Sequence, residues 1–296
     1  MIENKRAKII QNSIIHTIFI IFSFLCIIPL VVIASVSLSE EGNLNTFGYT
    51  LIPKVFTLSA YKFVFSNPDQ IITAYFISIM RTVVGSLVSL MVISLLAFPL
   101  SRSDFKFKKT LSFYVFFTML FNGGLVPWYI LVTRYLDMKN TFFVLFVPFL
   151  VIPWFVLLLR SFFKQIPMSL YESAKIDGAS EYTVFFRILL PLAKPALATV
   201  GLFICLNYWN DWWLPLLYID VDNLVPLPAM LSRMMSNITY LTTQNTNTFM
   251  TIDLSNIPKE SARMAMCLLA AGPMLFIFPF FQKYFVRGLT AGSMKG

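Results

Sequence analysis

Charge is scarce in this 296-residue sequence: only 12% of its residues are Asp, Glu, Lys or Arg, about half the share of an ordinary soluble domain. There is one histidine, His16, and there are three cysteines, Cys26, Cys205 and Cys267. The cysteines fall inside long apolar runs with no ligand spacing, which argues against a disulfide framework and against a metal centre. His16, at the inner end of the first run, suits an interfacial position better than a catalytic one. No GxxxxGK[ST] phosphate loop, HExxH, GxSxG or CxxC occurs, so the chain does not bind ATP through a phosphate loop of its own. No carboxylate sits near the middle of an apolar run, where proton- or sodium-coupled carriers commonly place one. Arg81 and Asp211 lie towards the outer ends of their runs and Arg160 towards an inner end. No repeat relates the two halves, so a self-sufficient secondary transporter is disfavoured.

What is abundant is apolar surface. Hydrophobic residues make up 57% of the chain and 31 residues are Phe. They gather into six runs, approximately 14–38, 73–100, 110–133, 141–161, 195–218 and 264–286, each beyond the 10–14 residues of a buried soluble helix. In lipid only helices or closed barrels satisfy the backbone, and these runs lack the alternation of a barrel. The expected fold is therefore all-α: a polytopic membrane protein of six transmembrane helices, a single domain over residues 1–296. The first run is too long for a cleavable signal and reads as a retained span.

The net charge of +9 follows topology rather than a nucleic-acid surface. Fifteen of the 23 Lys and Arg fall in the N-terminal tail, the 101–110 loop, the 160–194 segment and the C-terminal tail, and eight elsewhere. Basic residues mark cytoplasmic loops, so both termini and the second and fourth loops are expected in the cytoplasm. Eight Lys and Arg against nine Asp and Glu on the other side select no substrate charge.

Residues 171–180, YESAKIDGAS, interrupt the apolar runs. Ser169 and Glu172 have the spacing of a capping box, and a short helix from Leu170 to Asp177 would end at a left-handed Gly178. Ser180 would cap a second helix carrying Val184, Phe185, Ile188 and Leu189 on one side and stopping before Pro191. Ala174 and Gly178, four apart, would make a small-residue strip open to another protein. The segment reads either as a docking element or as a solvated linker. Its length, roughly 30 residues, favours docking.

Three further stretches bear on a transport path. Asn207 and Asn210 lie three apart on one helix face. Trp209-Asn210-Asp211-Trp212-Trp213 offers aromatic faces beside hydrogen-bonding groups, as sugar recognition needs, though interfacial anchoring by tryptophan explains it slightly better. Asn122-Gly123-Gly124 would either break the third span beside a pathway or allow close helix packing. The outer segment 219–263 is long and polar; the stretch 39–72, with Glu40 and Glu41, has no interpretable motif.

Glu172-Ser173-Ala174, then Asp177-Gly178-Ala179, Ile188, Leu190-Pro191 and Pro195 resemble the EAA loop (here 167–195) of ABC-importer permeases, departing only at Ser173, where alanine is usual. The ending from Gly288 to Gly296 resembles the tail of the second permease subunit of maltose-type importers. Phe121 to Pro127 is similar to the branch that handles complex oligosaccharides. The resemblance implies a type I importer fold with a coupling helix on the cytoplasmic side, in a bacterial plasma membrane. It implies a carbohydrate substrate, a homologous second permease subunit, an external solute-binding protein that meets the 219–263 region, and an ATPase dimer whose ATP and magnesium stay off this chain. The coupling residues implied are Ser169, Glu172, Ala174, Asp177, Gly178 and Ala179. An importer of a non-sugar solute is the alternative.

Overall fold

The computed structural model describes residues 5–244 and 258–293. Residues 245–257 of the 219–263 segment and 294–296 of the tail lie outside the described residues. The described chain is helical, its one β contact being an isolated antiparallel bridge between Ser39 and Phe56. It divides into two compact units, residues 1–68 with 233–272 and residues 69–232 with 273–296.

The first unit opens with α1 (Lys5–Ser37). Of its apolar stretch Gln11–Ser37, residues 11–31 are exposed, as expected of side chains that meet lipid or another subunit, while Ser35, Val36 and Ser37 are buried. Two short helices follow, α2 (Glu41–Phe47) and α3 (Ser59–Val64). Glu41 has a definite task. Its buried carboxylate accepts hydrogen bonds from the backbone N–H of Glu260 (2.8 Å) and of Ser261 (3.1 Å) and from the Ser261 hydroxyl (2.8 Å). Those amides open the last helix, so a residue more than two hundred positions away satisfies its N-terminal donors.

In the second unit, α4 (Pro68–Ser101) is one continuous span. Its buried face is apolar at first, with Ile71, Ala74 and Ile77, and turns polar towards the middle, where Ser78, Arg81, Thr82, Ser86 and Ser89 are all covered. Two of these side chains, Arg81 and Ser89, serve the fourth apolar run. Instead of one helix over 141–161, it forms two single 3₁₀ turns, Phe143–Leu145 and Val147–Phe149, and then α7 (Pro153–Phe163). A broken backbone at membrane depth needs partners from elsewhere. Arg81 Nε donates to the Leu145 carbonyl (2.7 Å), Tyr208 Oη to that of Phe146 (3.1 Å), and Ser89 Oγ to that of Leu150. Gly85 allows the approach, since a Cβ there would lie 3.0 Å from Phe146 Cβ and 3.1 Å from the Tyr208 ring.

The third and fifth runs are broken as well. The third comprises α5 (Lys108–Leu120), then α6 (Leu125–Ile130) continuing into a π turn at Leu131–Tyr135, with a bend of 112° between them. The chain then passes through α8 (Met168–Ile176), α9 (Glu181–Thr183), a π turn at Val184–Leu189 and α10 (Leu190–Leu192). The second helix of this corner thus runs through Pro191 rather than stopping before it. The π register sends the Leu190 N–H to the Phe185 carbonyl, so the wider turn is formed just ahead of the proline. After a bend of 83° comes α11 (Lys194–Asn210). The fifth run does not continue as one helix to residue 218: Asp211 is extended and α12 (Trp213–Tyr218) begins anew. Within the 219–263 segment lies α13 (Leu227–Gln244), and α14 (Glu260–Ser293) ends the described chain. Among the described residues three helices are long and apolar enough to cross a membrane, or up to six if each bent pair counts as one span.

The main apolar core of the second unit joins the later half of α4 (Ile93, Ala97, Leu100) to α7 (Val156, Leu159, Phe163), to Val184, Phe185 and Leu189, and to Val200 and Ile204 of α11. Tyr171 and Ala174 of α8 belong to it. The corner at 168–192 is therefore anchored in the core by one face only.

Candidate functional site

The corner begins after Pro167, the last extended residue before α8. Its φ of −57° and ψ of 133° suit the cap position, so α8 starts at Met168, two residues before the Leu170 expected. Ser169 is then inside the first turn, no side chain caps the helix, and the Ser169–Glu172 capping box does not form. The other end follows the sequence. Gly178 has a φ of +76°. The Ala179 N–H donates to the Ala174 carbonyl (2.9 Å) and the Gly178 N–H to that of Lys175 (3.0 Å), the paired bonds of a Schellman terminus. Ser180 Oγ then accepts from the Thr183 N–H (3.3 Å) and starts α9.

The phase of α8 decides what it shows. Tyr171 and Ala174 face inward, Tyr171 packing on Phe98 with ring centroids 6.2 Å apart, and Phe98 in turn on Phe185 at 5.5 Å. The small-residue strip of Ala174 and Gly178 is therefore not formed, because Ala174 is buried in the chain's own core. The outward face is Glu172, Ser173, Ile176, Asp177 and Gly178, with Ala179 half-buried. Ile176 is 86% exposed and Tyr182, across the corner, 76%. Sequence reasoning missed both. The signal was an isoleucine beside a predicted helix stop, outside the inward phase.

Four charges cluster against the corner. Arg102, buried just beyond α4, donates to both carboxylate oxygens of Asp104 (2.9 and 2.5 Å) and to Glu181 (2.6 Å). Lys175 Nζ lies 3.0 Å from Glu181 and 3.7 Å from Asp104. The hydrogen bond from Arg102, followed in size by the opposing cost of burial, sets the Asp104 carboxyl below its ordinary range.

The second feature is a hollow at the helix breaks. Asn122 Oδ1 accepts from the Gly124 N–H (2.8 Å), and Gly124 takes a φ of +86°. A Cβ at Gly123 would meet nothing within 4 Å and one at Gly124 only the Pro127 ring at 4.0 Å. The Asn122-Gly123-Gly124 stretch is thus a break, and its glycines make no close packing contact with the described residues of this chain. A cavity of about 700 Å³ opens there, bounded by Asn122 and Asn207 with Tyr114, Thr118 and Trp128. Asn207 returns its amide to the Phe203 carbonyl (2.9 Å), which leaves its own oxygen as an acceptor. A neighbouring hollow of about 580 Å³ shares Asn122 and adds Trp213.

The other path candidates go elsewhere. Asn210 is exposed but borders neither hollow. Trp209 is buried, unable to stack on a solute or to anchor at an interface. Asp211 is held by Arg81 and also accepts from the Trp213 (3.0 Å) and Leu214 (3.3 Å) amides, starting α12. No group of three or more metal-ligating side chains occurs among the described residues.

A family model described as "Binding-protein-dependent transport system inner membrane component" matches residues 71–291. The chain is 34% identical over 291 residues to the polygalacturonan/rhamnogalacturonan transport system permease protein YtcP of Bacillus subtilis, covering 96% of this chain and 98% of that one. It is 38% identical over 270 residues to Protein LplC of the same organism, covering 91% and 90%. Among solved structures it resembles a chain of a bacterial ABC transporter involved in the import of the acidic polysaccharide alginate. There the TM-score is 0.77 and the identity 27%, over 95% of this chain and 98% of that chain.

Proposed function

The chain belongs to the binding-protein-dependent transport system inner membrane components, the permease subunits of ABC importers, and on that premise we propose that it forms half of a pore carrying an oligosaccharide inward across the bacterial plasma membrane. ATP hydrolysis belongs to separate ATPase subunits. In this reading an ATPase dimer holding ATP and magnesium docks on the corner at residues 168–182, a second permease subunit completes the pore, and an external binding protein delivers the sugar. The 15-to-8 division of basic residues supports a cytoplasmic corner with both termini on the same side.

The observation that carries the docking reading is the corner's two-sidedness. One face is packed into the core through Tyr171 and Ala174, while Ile176 and Tyr182 stand out from the other. Exposed aromatic and aliphatic anchors beside a rigid turn suit a partner's groove. Pushing the corner moves α8 and α9 with the core they pack on, rather than deforming a loop. Glu172, Asp177, Gly178 and Ala179 contribute the polar rim and the turn; Ser169 contributes helix alone.

The cavity at Asn122 and Asn207 supports passage of a sugar. Its boundary combines aromatic faces, Tyr114 and Trp128, with an amide, a hydroxyl and an amide oxygen, and includes no Asp, Glu, Lys or Arg. Such a lining recognises ring faces and hydroxyls without needing a substrate charge. The substrates of the chain's relatives, polygalacturonan or rhamnogalacturonan and alginate, support a saccharide as the substrate class.

The test is uptake of labelled oligosaccharides into proteoliposomes holding the complete complex. Uptake should require ATP and the ATPase subunits. Uptake driven by an ion gradient in their absence would overturn the reading.

A further inference from the structure

We propose that Arg102 is a positioning residue that locks the corner to α4, so that displacement at the corner reaches the second span without loss; this rests on the docking reading of residues 168–182. Arg102 leaves the end of α4 and binds three carboxylate oxygens. Two belong to Asp104 in its own loop and one to Glu181 at the start of α9. Lys175, in the last turn of α8, closes the group onto Glu181 at 3.0 Å. Lys175 and Glu181 stand on opposite sides of the Gly178 turn, so the cluster spans the corner and fixes the angle between its helices.

Arg102 itself is buried, although its partners Asp104 and Glu181 are exposed, and this sets the cluster apart from a surface ion pair. The guanidinium carbon lies 5.6 Å from the centre of the Phe98 ring and 5.8 Å from that of Tyr171. Phe98 is on α4 and Tyr171 on α8, so the cation sits against aromatic rings from both elements it joins. A planar donor fork is needed, because one group must serve Asp104 in parallel bonds and Glu181 at an angle; an ammonium presents a point charge without that geometry. Without the clamp, α8 would still touch α4 through Tyr171 and Phe98, but apolar contact is non-directional and lets the helices slip. The clamp supplies a definite angle to a joint that the core only holds closed.

The experiment compares Arg102→Met and Arg102→Lys in the reconstituted complex, measuring sugar transported per ATP hydrolysed. Arg102→Met should assemble with its partners and hydrolyse ATP while that ratio falls at least about fivefold, the lower end of coupling between distant sites. Arg102→Lys should recover part of it. Spin labels at Lys106 and Arg187 should keep one distance in nucleotide-free and ATP-bound wild type and two in Arg102→Met. Should Arg102→Met fail to assemble, Glu181→Gln carries the same test, since it weakens the arm to α9 and leaves Asp104 in place. A normal ratio with unchanged label distances, or transport and hydrolysis falling in parallel, would overturn the proposal. Gly178→Leu separates this from the docking reading: if that variant uncouples and the Arg102 variants do not, docking stands and the clamp fails.

Discussion

Arg81 on α4 and Asp211 beyond α11, 130 residues apart, form a buried ion pair that ties three broken segments together. Besides the carboxylate, the guanidinium takes the Asp211 carbonyl (2.8 Å) and the Leu145 carbonyl (2.7 Å). Asp211 spends its other oxygen on the amides that open α12. One arginine thus satisfies the end of a helix, a 3₁₀ turn and a charge, none of which lipid could serve.

Removing one partner should be costly. Arg81→Ala or Asp211→Ala leaves a buried group unpaired and should destabilise the protein by about 3–5 kcal/mol. The measurement is denaturant or thermal unfolding of the purified protein in detergent. The paired replacement Arg81→Met with Asp211→Leu should be less destabilised than either single variant, although α12 loses its cap. Single variants with wild-type stability would show that the pair is not a brace.

At Gly178 backbone strain and docking can be separated. A side chain there meets nothing within 4 Å, so the chain itself objects only to the φ of +76°. Gly178→Ala should cost about 1 kcal/mol and leave transport nearly intact. Gly178→Leu carries similar strain but projects into the proposed partner groove. It should insert normally, yet lose its ATPase subunits or hydrolyse ATP without transport. Normal co-purification and normal coupling would remove this corner from the interface.

What the sequence disclosed and what it hid divide by range. Gly178 and Ser180 were legible because left-handed turns and N-caps are decided within a few residues. So was the inward stripe of Val184, Phe185 and Leu189. The capping box at Ser169 failed because Pro167 took the cap first. Ala174 could not be placed, since the phase of α8 depends on Tyr171 meeting Phe98, more than seventy residues away. The polar face of α4 was visible as serines in an apolar run, but its purpose was not. Arg81 and Ser89 serve carbonyls in a segment whose own pattern reads as a continuous span, and Ser78 accepts from the distant Leu227 amide. The break at Asn122-Gly123-Gly124 stayed ambiguous until the surroundings of both glycines proved empty.

Glu41 offers a test within the first unit. Its carboxylate serves three donors at the start of α14. Glu41→Ala should cost about 1–2 kcal/mol, as loss of a helix cap does, and Glu41→Gln should cost less by keeping acceptor capacity. Faster hydrogen exchange at the Ser261 amide is the specific readout. Unchanged exchange in Glu41→Ala would contradict the cap.

In the cavity, Asn122 and Asn207 should act differently. Asn122 spends its oxygen on the Gly124 amide, so Asn122→Ala loosens the break as well as removing a sugar donor. Asn207→Ala removes only an acceptor and a bond within its own helix. Losing one hydrogen bond to a sugar hydroxyl, about 1 kcal/mol, predicts roughly a fivefold loss of uptake at low substrate for Asn207→Ala, with ATPase assembly intact. Asn122→Ala should lose more. Full uptake in both variants would take the sugar path away from this hollow.

Ile176 carries the last test because nothing among the described residues covers it. An isoleucine 86% exposed at the end of a nine-residue helix gains nothing from water. Two residues before a glycine turn, it is the most projecting apolar group of the corner, with Tyr182 across the turn. If both fill pockets in the ATPase, Ile176→Ser should lower the retained ATPase by about tenfold or more, as loss of an interface anchor does, and Tyr182→Ala by a comparable factor. The isolated permease should keep its wild-type unfolding midpoint, since neither side chain is packed in it. That pairing separates an interface residue from a folding residue. A stability loss with unchanged ATPase retention would make Ile176 a packing residue of this chain and leave the corner without its anchor.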